Sequence, residues 1–390
     1  MSYVNLIPSI VEYVEKFKEL DSLDFKIIKT MFEYDIRNVS KLAKKLKIPQ
    51  QTLNYRVNRF DEKDIVRFRA LPNESILGLK NFIVTASCEL GKEETSGRAM
   101  TCFPLWKYLA IIEGSTHGNY VRYLIPPEKE FDLIAFLDDL VKKRIILSYE
   151  VLPTTGPEYP LLNLDFYQAE MGTPVFNWDR WVEDFDSFTQ DSVSEPTSYD
   201  RADFDLHDLI ILRCLEINAR MKLREVVKEM TKILGEKNPR RFIPLVSRRL
   251  RHSIIPKKMI RGYRAYILPD AGQNLLFLIY HLSFKNSSVM KKFVGGLKLL
   301  PYNVTIQKVL QKDELFVHLA IPAYEYPGMR KSLAKLGETD QVKTVNSFLG
   351  DLANATWGNV EIYQMYKDNA WNFSYGTAIK MLENVLPAKI

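Results

Sequence analysis

LDSLDFKIIKTMFEYDIRNVSKLAKKLKIPQQTLNYRVNRFDEKDIVRFRALPN, residues 20–73, carries the periods that decide the fold. Leu23, Ile27, Ile28 and Met31 recur at helical spacing behind Asp21, whose carboxylate suits an N-cap. A second apolar stripe, Val39, Leu42, Ala43 and Leu46, follows Asn38, and Ile48-Pro49 marks the turn after it. Leu53, Val57 and Phe60 then repeat at helical intervals. That spacing turns them inward and leaves Gln50, Gln51, Asn54, Tyr55 and Asn58 outward. The segment from Ile65 to Leu71 reads as β-rich.

The pattern returns at residues 204–270, FDLHDLIILRCLEINARMKLREVVKEMTKILGEKNPRRFIPLVSRRLRHSIIPKKMIRGYRAYILPD. Asp21 and Asp24 match Asp205 and Asp208; Ile27-Ile28 matches Ile211-Leu212; Arg59-Phe60 matches Arg249-Leu250; Phe68-Arg69-Ala70 matches Tyr263-Arg264-Ala265. The offset grows along the copy, so short insertions enlarge its turns, and a duplicated unit is the economical explanation. Three short helices followed by a β segment make a winged helix-turn-helix, whose third helix can enter a major groove. In the first copy Gln50, Gln51, Asn54 and Tyr55 suit base edges, while Arg56, Arg59, Arg67 and Arg69 suit phosphates. In the second copy Ile243, Val246 and Leu250 are expected inward, with Pro244 in the first helical turn, where its missing N–H costs little. Arg240, Arg241, Ser247, Arg248 and Arg251 are expected outward, and Lys257, Lys258, Arg261 and Arg264 extend that surface along the wing. So cationic a face should grip backbone more than read bases.

Charge along the chain agrees. The 390 residues carry +6 overall, a mild figure. Asp21 to Arg69 holds 12 Lys/Arg against 7 Asp/Glu, and Asp205 to Leu268 holds 16 against 6. Between them, Glu150 to Phe204 holds 12 acidic residues against Arg180 and Arg201, which hides both basic islands in the total. No apolar run is long enough for a membrane span, and the acidic start (Glu12, Glu15, Glu19) argues against a secretory signal. Cys88, Cys102 and Cys214 are odd in number and far apart, which suits a reducing compartment and plain core thiols. The expected location is cytoplasmic and nucleoid-associated.

The string from Leu20, and especially IRGYRAYILPD with AGQNLLFLIYHLSF after it, resembles the Lrp/AsnC family of feast-or-famine transcription regulators of archaea and bacteria. The resemblance implies a helix-turn-helix joined to a βαββαβ ligand-binding and assembly domain. Periodicity independently places strands at Asn81–Glu89, Trp106–Glu113, Tyr120–Ile125 and Ile145–Leu152, with helices at Glu93–Pro104 and Glu128–Lys143. After the second copy the same order reads Leu275–Phe284, Ser288–Leu300, Val304–Leu310, Glu314–Ile321, then a helix Glu325–Leu349 and a strand Asn359–Tyr366. The expected fold class is therefore α+β: two winged helix-turn-helix domains, each followed by a ferredoxin-like domain. Boundaries fall at an N-terminal helix (1–20), winged helix-turn-helix units (21–72 and 204–270), ferredoxin-like domains (73–152 and 271–367), an acidic aromatic spacer (153–203) and a docking helix (368–390).

The expected function is a transcription regulator gripping double-stranded DNA with two non-identical heads. Its halves pair as an intramolecular pseudo-dimer, or two chains pair as a homodimer. In the spacer, Tyr159, Phe166, Tyr167, Phe176, Trp178, Trp181, Phe185 and Phe188 should pack, while Asp191–Asp200 reads as a free hinge. The family resemblance implies an effector site at a glycine-bearing β turn, which here gives Gly114, His117 and Gly118 as a candidate small-molecule cleft; a tight hairpin explains the glycines equally well. The five histidines make no metal spacing, and no nucleotide-binding or hydrolase motif occurs, so neither a metal, a cofactor nor catalysis is expected. Two alternatives stand: a sequence-nonspecific architectural DNA coat, and, by resemblance, a siroheme-decarboxylase-like tetrapyrrole enzyme drawing on THGNYVRY, residues 116–123.

Overall fold

A computed structural model describes residues 20–33, 39–63, 66–168, 173–174, 176–236, 238–266, 275–351, 354–358 and 361–385. The expected N-terminal helix lies, Leu20 apart, outside them. Helices α1 (Ser22–Glu33), α2 (Val39–Leu46) and α3 (Gln50–Glu62) lead into strand β1 (Arg67–Pro72). Their apolar stripes meet as read: Ile27, Ile28, Met31, Leu42, Leu53, Val57 and Phe60 are buried together. Then follow β2 (Lys80–Ser87), α4 (Glu93–Met100), β3 (Trp106–Gly114), β4 (Gly118–Ile125), α5 (Glu130–Lys142) and β5 (Ser148–Thr154). After the short α6 (Trp178–Glu183), the same order of elements recurs. Helices α7 (Leu206–Ile217), α8 (Leu223–Leu234) and α9 (Phe242–Arg249) precede β6 (Ile260–Tyr266), and β7 (Leu275–Phe284), α10 (Ser287–Leu297), β8 (Asn303–Lys308), β9 (Glu314–Pro322), α11 (Tyr326–Glu338) and β10 (Val342–Gly350) complete it.

One helix and one strand of the second half depart from the sequence reading. Glu325–Leu349 is not one helix: α11 ends at Glu338, Asp340 takes positive φ, and the chain returns as β10. The last strand is thus Val342–Gly350 instead of Asn359–Tyr366, where a short turn of 3₁₀ helix, Ile362–Met365, is found. The helical and extended periods overlap in KSLAKLGETDQVKTV, and a charged turn breaks them where no proline or asparagine-glycine signal announces it.

Each half has the strand order 2-3-1-4, and the two sheets join edge to edge. The whole order is β8-β9-β7-β10-β3-β4-β2-β5, with a two-residue strand, Thr356–Trp357, lying along β3. Bridges Thr154↔Val309 and Glu158↔Ile306 bring the far edges together, so the sheet closes. Strand alternation then sorts side chains into two layers. Phe82, Val84 and Ala86 face helices α4 and α5, whereas Ile83 faces the enclosed side; Leu315, Val317 and Leu319 face α10 and α11, whereas Phe316 faces inward. Both faces of the sheet are therefore dry, and β2 is buried almost throughout. Cys88, Cys102 and Cys214 are all buried, and burial pushes the Cys102 and Cys214 thiols up to about 11.

Inside the closed sheet, His318 Nε2 meets the Tyr120 hydroxyl at 2.9 Å among Tyr108, Phe277 and Phe316. Burial, assisted by the charge of Arg122, lowers the imidazole from 6.5 to about 3. Folded His318 is thus neutral throughout the range in which the unfolded chain takes up a proton. Its penalty is absent above pH 6.5 and grows as pH falls toward 3. Between pH 7 and pH 5 we expect a loss of about 2 kcal/mol that His318→Gln abolishes, read from urea unfolding at the two pH values. An equal loss in the variant would place the acid sensitivity elsewhere.

Among the described residues, Phe176–Glu195 of the spacer packs against the second half. Trp178 and Trp181 are buried on α10 and α11, with the Trp178 indole donating to Glu325 at 2.6 Å and that of Trp181 to the Gly296 carbonyl at 3.0 Å. Asp191–Asp200 is not a free hinge. Val193 is buried, Asp191 pairs with Lys298 at 2.6 Å, and Glu195 pairs with Lys308. Asp179, Asp186, Asp191 and Glu195 thus meet lysines of the second sheet domain, whereas Asp165 pairs with Lys29 of the first basic island and Asp203 lies beside Lys257 of the second. Helix α12 (Tyr375–Val385) returns to the first half, packing Ala378 and Leu382 near α5 and bonding Tyr375 to Asp139.

Candidate nucleic-acid interface

Helix α3 presents the face that its sequence promised. Leu53, Val57 and Phe60 are fully buried, so Gln50, Gln51, Asn54, Tyr55 and Asn58 are exposed, Tyr55 by 70%. A large aromatic standing in solvent among amides has no packing explanation within the chain.

Arg56 and Arg59 do not belong to that face. Arg56 donates to Asp21 at 2.7 Å and Asp24 at 2.8 Å, and Arg59 bonds to the other oxygen of Asp24, which is wholly buried. Hydrogen bonds donated to both carboxylates hold the Arg56 guanidinium above its ordinary value. The same carboxylates cap α1 reciprocally: Asp24 N–H donates to Asp21 Oδ1 at 2.9 Å and Asp21 N–H to Asp24 Oδ2 at 3.1 Å. The second bundle repeats the device. Asp205 and Asp208 form a capping box on α7, and Arg249 bonds them at 2.6 and 3.0 Å. The expectation that Arg56 and Arg59 anchor phosphate is replaced by a structural role, fastening the third helix to the first.

On the second bundle Arg240, Arg241, Arg248 and Arg251 are exposed, with Arg251 hydrogen-bonded to Ser247 at 3.0 Å. Val246 is buried and Leu250 half-buried, as expected, but Ile243 is 40% exposed and Phe242 takes its place in the core. Pro244 stands exposed in the first turn of α9. Beyond α9 the chain widens into a π turn, Leu250–Ile254, that shifts the helical phase.

The wing residues are placed differently from their sequence reading. Strands β1 and β6 pair antiparallel with each other, Arg67 opposite Tyr266 and Arg69 opposite Arg264, forming a central two-stranded ribbon. Arg67 and Arg69 line a cavity between this ribbon and strands β3 and β4. Arg261 reaches inward to Glu74 at 3.3 Å and to the Pro72 and Pro157 carbonyls. Lys257 is tied to Asp203, while Lys258, at positive φ, remains exposed. A strand with a basic alternate face has no local signal for its partner, so inward and outward cannot be told apart before pairing is known.

Gly114 and Gly118 bracket the β3–β4 hairpin with φ of +141° and +152°. A side chain on Gly114 would strike the Ser347 carbonyl, and one on Gly118 that of Ala86. His117 is bonded to Glu93. Close backbone approach therefore accounts for both glycines without a ligand. Thr116–Tyr123 likewise divides: Tyr120 points into the closed sheet and Arg122 to Asn81 at 3.0 Å, away from His117. The sequence reading passes over Lys107, a buried cation on a strand, because nothing in a strand's alternation distinguishes a solvated lysine from an enclosed one.

Residues 20–67 match the family described as winged helix-turn-helix DNA-binding. No curated protein matches the chain. Among solved structures, the fold is similar to that of the siroheme decarboxylase NirDL at 12% identity, over 92% of this chain and 99% of that one, with a TM-score of 0.50. Smaller overlaps occur with an AsnC family transcriptional regulator from Agrobacterium tumefaciens (18% identity, 38% of this chain and 100% of that one, TM-score 0.31). A transcriptional regulatory protein of the AsnC family from Pyrococcus furiosus overlaps similarly (16%, 35% and 89%, 0.27).

Proposed function

We propose that this chain is a transcription regulator that grips duplex DNA through two non-identical helical heads, α3 reading sequence and α9 holding backbone. The observation that carries the reading is the outward face of α3. Five residues able to donate and accept, Tyr55 among them, stand exposed on the third helix of a winged helix-turn-helix while its two arginines are consumed internally. The exposed arginines of α9 suit phosphates. Because the two faces differ, polar-aromatic on α3 and arginine-rich on α9, their target need not be a perfect palindrome. No helix among the described residues is long and apolar enough to cross a membrane, and a nucleoid location follows from the DNA-binding reading.

We assign no catalysis to it. His117 is bonded to Glu93, His318 is enclosed among aromatic rings, and a cavity of about 840 Å³ beneath the spacer is lined by no histidine. Tetrapyrrole added to the purified chain should leave its Soret band as in buffer.

The test is selection of duplexes from a random pool, followed by affinities for the selected and a scrambled site. Asn54→Ala should weaken the selected site by about 1–3 kcal/mol and relax preference at one position while leaving the scrambled site nearly unchanged. Equal wild-type affinity for both duplexes would replace regulation by architectural coating.

A further inference from the structure

The cavity beneath the spacer, about 840 Å³, has the size of a small-molecule site and lies where three segments of the chain meet. Phe32 comes from α1, Leu71 and Leu79 from β1 and the loop after it, and Leu161, Leu164 and Pro196 from the two ends of the spacer. Much of its wall is therefore apolar. Its charges are unevenly engaged. Each lining cation is already held by a carboxylate: Lys29 by Asp165 at 3.3 Å, Arg261 by Glu74 at 3.3 Å, and Lys298 by Asp191 at 2.6 Å. Of the remaining acids in the wall Glu195 is taken by Lys308, which leaves Glu158. Among the described residues no cation stands within ion-pair distance of this half-buried carboxylate, which accepts the Ser194 N–H. Burial pushes its pKa up, and the more distant charges of Lys298 and Arg261 do not cancel that rise. An anion entering the cavity would meet only engaged cations, whereas a cation would supply the counter-charge that Glu158 lacks.

We propose that this cavity binds an organic amine in its ammonium form, with its N–H groups donating to Glu158 and its apolar body lying against Phe32, Leu71 and Leu161. Charge-assisted hydrogen bonds to the carboxylate fix the charged end, and the apolar wall selects what is attached to it. Because the walls come from α1, β1 and both ends of the spacer, an occupied cavity ties the spacer to the first bundle and stabilises the folded chain by mass action. The site is independent of the DNA-binding reading and stands or falls without it.

Calorimetry of the full chain without DNA compares two amines, phenethylamine and hexylamine, with the anion hydrocinnamate and the neutral phenethyl alcohol at matched ionic strength. Saturable heat is expected with at least one amine, and the anion and the alcohol should bind about ten-fold more weakly or not at all. Glu158→Gln keeps an acceptor for the Ser194 N–H and removes the charge. It should cut amine affinity about ten-fold or more. Without amine its melting temperature should be unchanged or higher, because the variant no longer holds a half-buried carboxylate without a counter-charge. Glu89→Gln, which removes an exposed carboxylate outside the cavity, should leave the affinity as it is. The proposal is overturned by any one of four results: no saturable binding of either amine, anion or alcohol binding as tight as the amines, unchanged amine affinity in Glu158→Gln, or a lowered amine-free melting temperature in that variant.

Discussion

Asp24→Ala is expected to lower the stability of the first helical bundle by about 3–5 kcal/mol, the range for stripping one partner from a buried ion pair. Asp24 is wholly buried and serves three groups: its carboxylate holds Arg56 and Arg59, and also accepts the Asp21 N–H. Alanine leaves two guanidinium groups, each about one-fifth exposed, without their main counter-charge. It also removes half of the reciprocal cap on α1, which costs about 1 kcal/mol in other helices. Hydrogen exchange should rise across α1, α2 and α3, and affinity for DNA should fall for every sequence alike, since α3 loses its anchor to α1. Asp24→Leu combined with Arg59→Leu should cost less than Asp24→Ala, because removing both members avoids stranding a charge. A double variant as unstable as the single one would show that packing around α1, rather than the ion pair, dominates. Asp208→Ala should behave similarly in the second bundle, where Asp208 is equally buried and holds Arg249 and Ser253.

This network was present in the sequence as an alignment before it had a meaning. Asp21 with Asp205, Asp24 with Asp208, and Arg59 with Arg249 were matched as markers of a repeated unit, and the structure shows that the markers are one interaction made twice. Spacing revealed the cap because capping is local. It did not reveal the arginine partner, which lies two helices away. The apolar stripes of α1 to α3 were legible for the same reason that the cap was: a helical period fixes which side chains share a face, and burial of Leu53, Val57 and Phe60 leaves Gln50, Asn54 and Tyr55 no other orientation.

Strands were legible as elements and illegible as surfaces. β1 alternates Arg67, Arg69 and Leu71 with Phe68 and Ala70, and alternation alone assigns one face to the core. Phe68 and Ala70 are buried as that rule requires. Alternation assigns the opposite face to solvent, yet pairing with β6 roofs a cavity with it. Because the strand's partner is supplied by the other half of the chain, Arg67, Arg69 and Arg261 turn inward, while Lys258 stays exposed. The end of α11 failed differently: the charged GETDQVK stretch continues a helical period that a residue of positive φ, Asp340, terminates.

The proposed second head is the sharper question, since phosphate-gripping arginines would carry no sequence information of their own. Arg240→Glu with Arg241→Glu reverses two exposed charges at the start of α9, far from the Arg249 anchor, so folding should be unaffected. If both side chains lie on phosphates, the slope of log affinity against log salt should become shallower by about 2, and affinity near physiological salt should drop by about a hundred-fold or more. Selected and scrambled duplexes should lose equally, because phosphate contacts set position without reading bases. Asn54→Ala relaxes preference at one position and leaves the slope alone, so the two variants separate reading from gripping in one pair of titrations. If the reversed chain kept both its slope and its affinity, α9 would serve only to hold β6 against β1. DNA would then be bound by α3 alone, and two heads within one binding event would require a second copy of the chain.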